Sequence, residues 1–200
     1  MKNNGTFGYT GMFKNETGGV KMKLMVIFSV VAALVMTGCS MKNRTDNIPA
    51  VTGFDLPRYM GKWYEIARYP HWFEKGLSHV SATYSLLPDG KVQVVNKGIL
   101  PDGKLRLIKG VAVACPPAGS GELKVSFFRP FYGAYRIVYL SPEYDFAIVT
   151  SSTKDYLWLL SRKKEINAEQ KDFFLNWIRE HGFSSVPLIW VEQSGESAKQ

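Results

Sequence analysis

The chain has 200 residues, 46% of them apolar, which is enough for one domain with a sizeable core and argues against large-scale disorder. Its formal charge is +8, and beyond residue 38 it keeps 21 basic and 16 acidic residues, or +5. No Lys/Arg cluster follows a periodic helix, so this bias argues against a nucleic-acid partner and suits attraction to anionic membrane lipid.

Lys21 and Lys23 precede an apolar run from Leu24 to Met36 that ends in Thr37-Gly38-Cys39-Ser40, the three-part layout of a secretory signal over residues 1–38. The run is too short to span a membrane. Residues 1–20 are polar and Gly-rich, unlike an n-region, which makes Met22 an alternative start. Met36-Thr37-Gly38-Cys39 resembles a bacterial lipobox, with Met where Leu is commonest. That resemblance implies that Cys39 becomes the first mature residue, thioether-linked to diacylglycerol and N-acylated. Ser40 is similar to the residue that follows the cysteine in lipoproteins sorted to the outer membrane. Several chains, each buried methylene contributing about 0.8 kcal/mol, give long-lived anchoring. Residues 39–54 then read as lipidated Cys and polar, aperiodic tether.

Asp55 to Tyr59 predicts a short helical turn, followed by eight β-type runs: 63–69, 80–87, 92–99, 105–114, 123–128, 134–140, 146–150 and 156–162. Pro88-Asp89-Gly90 and Pro101-Asp102-Gly103 predict hairpins, because Pro presets φ and Gly accepts the left-handed position. Strands joined in order put loops 70–79, 100–104, 129–133 and 151–155 around one opening. After Arg162 the period changes to about 3.6, which predicts one helix capped by Asn167 with Gln170 three residues on, apolar through Phe173, Phe174, Trp177 and Ile178, and stopped at Gly182. A short strand over 188–192 and a disordered tail over 194–200 complete the chain.

Gly61-Lys62-Trp63-Tyr64-Glu65-Ile66-Ala67-Arg68 begins the barrel, with Trp63, Glu65 and Ala67 on one face by alternation. These eight residues resemble the G-x-W signature of lipocalins, and Trp-Tyr-Glu-Ile-Ala-Arg is similar to the bacterial lipocalin and apolipoprotein D branch. The resemblance covers residues 55–193. It implies an all-β, eight-stranded antiparallel up-and-down barrel with one C-terminal helix outside and a short final strand. It also implies that Arg162 packs on Trp63 at the closed end, and that Tyr144 holds the place of the second family motif, of which only the Tyr is kept clearly.

An eight-stranded barrel is wide enough either for side chains or for one small ligand, and sequence does not measure which. Candidate inward residues are Trp63, Glu65, Ala82, Tyr84, Val94 and Asn96 from the first three strands, then Tyr135, Ile137, Tyr139, Tyr156, Trp158 and Leu160. At the rim, Phe127, Phe128, Phe131 and Tyr132 cluster in one loop and Tyr69, Trp72, Phe73 and Leu77 in another, as an interface or a ligand entrance would require. Arg68, Arg129, Arg136 and Lys75 are candidates to meet a phosphate or carboxylate headgroup. Cys115, a lone thiol beside two prolines, reads as structural, and His71, His79 and His181 lack metal spacing. No cofactor is implied.

The resulting expectation is an outer-membrane-anchored, periplasm-facing lipid binder for fatty acids, phospholipids or lysophospholipids, serving envelope upkeep, with a homodimer as in the bacterial members it resembles. An enzyme acting on a lipid or isoprenoid, and a haem or pigment binder, stay open on the same scaffold.

Overall fold

The computed structural model describes residues 43–184 and 188–194; the signal segment, Cys39 and the tail from 195 lie outside the described residues. Alternating apolar and polar positions, interrupted by Gly and Pro turns, fold into β1 (Gly61–Arg68), β2 (Ser78–Leu86), β3 (Val92–Ile99), β4 (Leu105–Ala114), β5 (Glu122–Phe128), β6 (Phe131–Leu140), β7 (Phe146–Thr150) and β8 (Leu157–Ser161). Each pairs antiparallel with the next, and β1 closes the barrel by pairing with both β2 and β8. In the two Pro-Asp-Gly turns Gly90 and Gly103 take φ of +77° and +81°. Asp89 and Asp102 accept from the backbone N–H two residues on, each at 3.1 Å. The β5–β6 hairpin is tighter than the expected 129–133 loop, since pairing continues to Phe128 opposite Phe131.

The floor is built from both ends of the barrel sequence. Asp55 caps α1 (Leu56–Tyr59) by accepting from the backbone N–H of Arg58. Trp63 is fully buried and donates its indole N–H to the Tyr59 carbonyl at 2.8 Å. The Arg162 guanidinium lies 4.0 Å from the centre of that indole. It also donates to the carbonyls of Lys62, Arg58, Tyr59 and Tyr144 at 2.9, 3.0, 3.1 and 3.1 Å. Gly61, at φ +94°, lets the strand start this close, for a Cβ there would stand 3.3 Å from Arg162 Nη1. Tyr144 joins the same lattice: its hydroxyl accepts from the Asp55 N–H at 2.9 Å and its ring lies under Arg58.

Helix α2 (Ala168–Glu180) starts with a reciprocal capping box between Asn167 and Gln170 and buries Phe174, Trp177 and Ile178. These pack on Ile66, Ile148, Leu157 and Leu159, making a second core outside the barrel wall. Phe173, expected on the buried face, is partly exposed at its edge. The final strand is only β9 (Ile189–Trp190), paired with the upper part of β1. The β1–β2 ladder stops at Tyr64 opposite Ser81. Beyond it, buried Gln193 bridges the strands by donating its amide N–H groups to the carbonyls of Glu65 and Val80 at 2.7 and 2.8 Å. The C-terminal segment thereby seals a gap in the wall.

Residues 43–54, expected as free tether, lie against the barrel. Thr45 and Ile48 are buried, the Val51 N–H donates to the Ile137 carbonyl at 2.9 Å, and Thr52 bridges to Ser120. A short segment whose few apolar residues, Ile48, Ala50, Val51 and Phe54, follow no period gives no sequence signal, so its attachment depends on partners distant in sequence. Among the described residues no helix is long and apolar enough to cross a membrane.

The floor predicts a specific loss. Lysine cannot serve four carbonyls and cover an indole at once, so Arg162→Lys should cost about 2–4 kcal/mol, which is roughly a 10 °C drop in Tm for a domain of this size. Thermal denaturation of the full chain carrying Cys39→Ser reads it, and an unchanged Tm would remove the floor from its role.

Candidate functional site

Of four register shifts in the ladders of the described residues, two decide which side chains of β1 and β6 face the interior. In the β1–β8 ladder Glu65 lies opposite Leu160 but Ala67 opposite Leu159, so one residue is inserted at Ile66. Strict alternation therefore fails. Ala67, expected beside Trp63 and Glu65, joins the core under α2, and Arg68, expected at the rim, turns inward. Arg68 is 2% exposed. Its Nη1 donates to Glu65 Oε1 at 2.6 Å, and its Nη2 to the carbonyls of Glu74 and Leu77 at 2.8 and 3.1 Å. A guanidinium inside the wall thus holds down the β1–β2 rim loop. Trp158 donates its indole N–H to Glu74 Oε2 at 3.3 Å, and His71 stacks 4.7 Å from Tyr156 and 5.0 Å from Trp158. The structure links Glu65 to Arg68, and Trp158 and Tyr156 to His71 and Glu74; His71 and Glu74 were not anticipated as their partners.

The second bulge lies in the β6–β7 ladder, between Ile137 opposite Val149 and Tyr139 opposite Ile148. It turns Tyr139, expected in the pocket, to the outer wall, where its ring packs 4.5 Å from Phe173 of α2. Arg136 also leaves the expected headgroup set. Its Nε donates to Glu122 at 3.1 Å, Nη1 to the Thr45 carbonyl at 2.6 Å and Nη2 to that of Ile48 at 2.8 Å, so its charge holds the 43–54 segment. Arg129 and Lys75 remain exposed. A further cation, Arg106, pairs in register with Gly98 on the inward row of Asn96 and Ile108, at the open end. Its exposure and its position in a register of alternating residues were the signals for it.

Tyr84 and Tyr135 line the lower interior, and with Tyr59 they form a chain of hydroxyls: Tyr135 OH lies 2.8 Å from Tyr59 OH and 2.9 Å from Tyr84 OH. Burial raises all three phenols, Tyr84 to about 12, so the floor of the interior is polar but uncharged. Val94, Ile137, Val149 and Leu160 supply the apolar wall beside them. At the open end Trp72 is 84%, Phe131 77% and Phe128 70% exposed. Phe128 and Phe131 face each other across the hairpin, with Arg129 between them in sequence.

One guanidinium cannot balance two buried carboxylates. Burial first, and the neighbouring Glu74 charge second, push Glu65 up to about 8, and burial also raises Glu74. The close contact with Arg68 favours a charged carboxylate while desolvation opposes a second one, so the pair shares one proton near neutrality. The folded chain keeps that proton to higher pH than the unfolded chain, whose carboxyls titrate at about 4.3. Stability present below that value is therefore lost as pH rises toward 8, with a slope of at most about 1.4 kcal/mol per pH unit for one proton. Glu74→Gln leaves a balanced Glu65–Arg68 pair, and denaturant unfolding at pH 5–8 should show a flatter decline and a variant more stable than wild type at pH 8.

The comparisons agree with this geometry. Residues 54–193 match the model of the lipocalin-like domain. The outer membrane lipoprotein Blc of Citrobacter freundii is 43% identical over 173 residues, covering 86% of this chain and 98% of that protein. The same lipoprotein from Escherichia coli strain K12 is 42% identical over the same coverage, and mouse apolipoprotein D is 28% identical over 185 residues, 86% of this chain and 97% of that one. Among solved structures, insecticyanin from the tobacco hornworm Manduca sexta superposes with a TM-score of 0.63 at 20% identity, covering 76% of this chain and 87% of that one. Closed barrel, indole-guanidinium floor and matched domain together make this chain a member of the lipocalin family, whose members bind small hydrophobic ligands.

Proposed function

We propose that this lipocalin stores or carries amphiphilic acyl lipids, fatty acids or lysophospholipids, for upkeep of the cell envelope, held at the outer membrane by acyl chains on Cys39 with the domain in the periplasm. The observation that carries the reading is the open rim, where exposed Trp72, Phe128 and Phe131 stand among the exposed cations Lys75, Arg106 and Arg129. Exposed aromatics around a barrel mouth favour passage of an apolar chain, and the cations suit an anionic headgroup that stays hydrated outside. Burial of chain surface would drive capture at about 25 cal/mol per Å², less the ordering of ligand and loops. The same rings admit a second copy of the chain as an alternative cover, which light scattering reads directly. The names of the relatives support the membrane assignment, since they are outer membrane lipoproteins.

Delipidated full chain carrying Cys39→Ser should take up palmitate with micromolar or better affinity, followed through the fluorescence of Trp158. Phe131→Ala and Arg129→Ala should each weaken binding about three- to tenfold, the second only for anionic lipids. Absence of uptake would refute the carrier. Mass spectrometry of the mature wild-type N-terminus should show a triacylated Cys39.

A further inference from the structure

The place where the described chain begins decides which end of the barrel leads to Cys39. Strands joined in order put the β7–β8 loop at the open end, with the β1–β2 and β3–β4 loops, and the first described residues lie against that loop. Arg44 bridges to Thr153, the Lys154 N–H donates to the Asn43 carbonyl at 2.7 Å, and the Thr45 hydroxyl donates to the Ser151 carbonyl at 2.6 Å. From there the segment runs along the wall, held by Arg136 at Thr45 and Ile48, to the β4–β5 loop at the floor, where the Phe54 N–H donates to the Gly119 carbonyl at 2.8 Å. The stretch expected to hold the domain away from the membrane is therefore used up along the barrel. Only three residues stand between Cys39 and Asn43 in the sequence, and a fully extended chain carries Cys39 at most about 14 Å from Asn43.

We propose that the open rim docks on the membrane surface, mouth toward the lipid and floor away from it, with anionic phospholipid as the partner. The inference rests on the lipid-anchor reading of Cys39 and adds to it an orientation and a contact surface.

The composition of the rim fits that partner. Trp72 is exposed on the β1–β2 loop, and Phe131 and Tyr132 are exposed on the β5–β6 hairpin, so a broad apolar layer reaches both where a narrow groove would serve one. Trp and Tyr suit the headgroup level, where one part of the ring is apolar and the other wet. Lys75, Arg106 and Arg129 belong to the same rim and make no ion pair among the described residues. The rim acids are engaged, Asp102 by Lys104 and Asp155 by the Asn43 amide. The charge left over is positive and matches anionic headgroups, whereas a second copy laid mouth to mouth would bring two cationic rims together. With the anchor so close, docking is intramolecular, and modest affinity at the rim suffices.

The test uses the mature lipoprotein in vesicles of phosphatidylethanolamine and phosphatidylglycerol that contain a headgroup-linked nitroxide quencher. Two forms, each with Cys115→Ser, carry one fluorophore on an introduced thiol. Pro101→Cys places it on the β3–β4 loop, across the mouth from the exit, and Ala118→Cys on the β4–β5 loop at the floor; both positions are exposed. The rim label should lose most of its emission and the floor label almost none. Arg129→Ala and Lys75→Ala should each lower the docked-to-undocked ratio about fivefold, with thermal denaturation confirming that every variant is folded. Equal emission at the two labels, or loss at the floor alone, overturns the orientation. Energy transfer between rim labels on neighbouring molecules, with no quenching, assigns the rim to a second copy and overturns it as well. Quenching that survives both alanine substitutions overturns the anionic partner. Mass spectrometry of the same sample separates the two readings: an unacylated Cys39 fells the anchor and the orientation with it, while acylated protein with an unquenched rim fells the orientation alone.

Discussion

A guanidinium laid on a buried indole closes this barrel, and the position of every interior group depends on it. Trp63 stands near the start of β1 and Arg162 follows β8, so their contact can exist only when the first and last strands have become neighbours. Arg162 satisfies carbonyls from α1, from β1 and from the turn before β7, groups that would otherwise end in the floor without donors. It joins three separate stretches of chain through hydrogen bonds rather than by shape alone. The cation gains from the ring because it is partly desolvated there, yet it remains close enough to water that its charge needs no buried counter-ion. This lets the interior above contain phenols and apolar side chains in place of a second ion pair at the bottom.

What the sequence disclosed follows from locality. Three strands were legible to the residue, β3, β4 and β7, because alternation and turn chemistry act over a few neighbours. The Asn167–Gln170 box and the stop at Gly182 are likewise local. Bulges are not local. Ile66 and Val138 look like ordinary strand residues, and whether one extra residue is inserted depends on how the partner strand is spaced. Each slip reverses the side chains that follow, which is why Arg68 left the rim for the interior and Tyr139 left the interior for the helix-side core. Half of the expected headgroup set was lost this way or, as with Arg136, to a partner segment some 90 residues earlier in the chain.

The seam between β1 and β2 shows the same limit from another side. The bulge that turns Arg68 inward also ends the ladder with β2 above Tyr64, so two edges are left apart. Gln193 spans them with one amide group, and the Val191 N–H donates to the Ile66 carbonyl at 2.9 Å to hold the inserted segment in place. Nothing in the residues around Gln193 distinguishes it from a surface glutamine. Its role exists only because a bulge more than a hundred residues earlier created something to bridge.

The interior is graded in charge from mouth to floor, and the grading constrains the orientation of any amphiphile. Cations stand exposed at the rim, an acidic pair with one guanidinium lies inside the wall, and hydrogen-bonded phenols kept neutral by burial line the bottom. An anionic headgroup driven to the floor would lose its hydration and meet no cation except Arg162, which lies beyond Trp63 and is committed to carbonyls. Passing the acidic pair, it would approach groups that already lack enough positive charge. An acyl chain meets none of these penalties. On the proposed reading the tail would therefore lead and the headgroup stay outside, an ordering set by where burial tolerates charge rather than by the width of the opening.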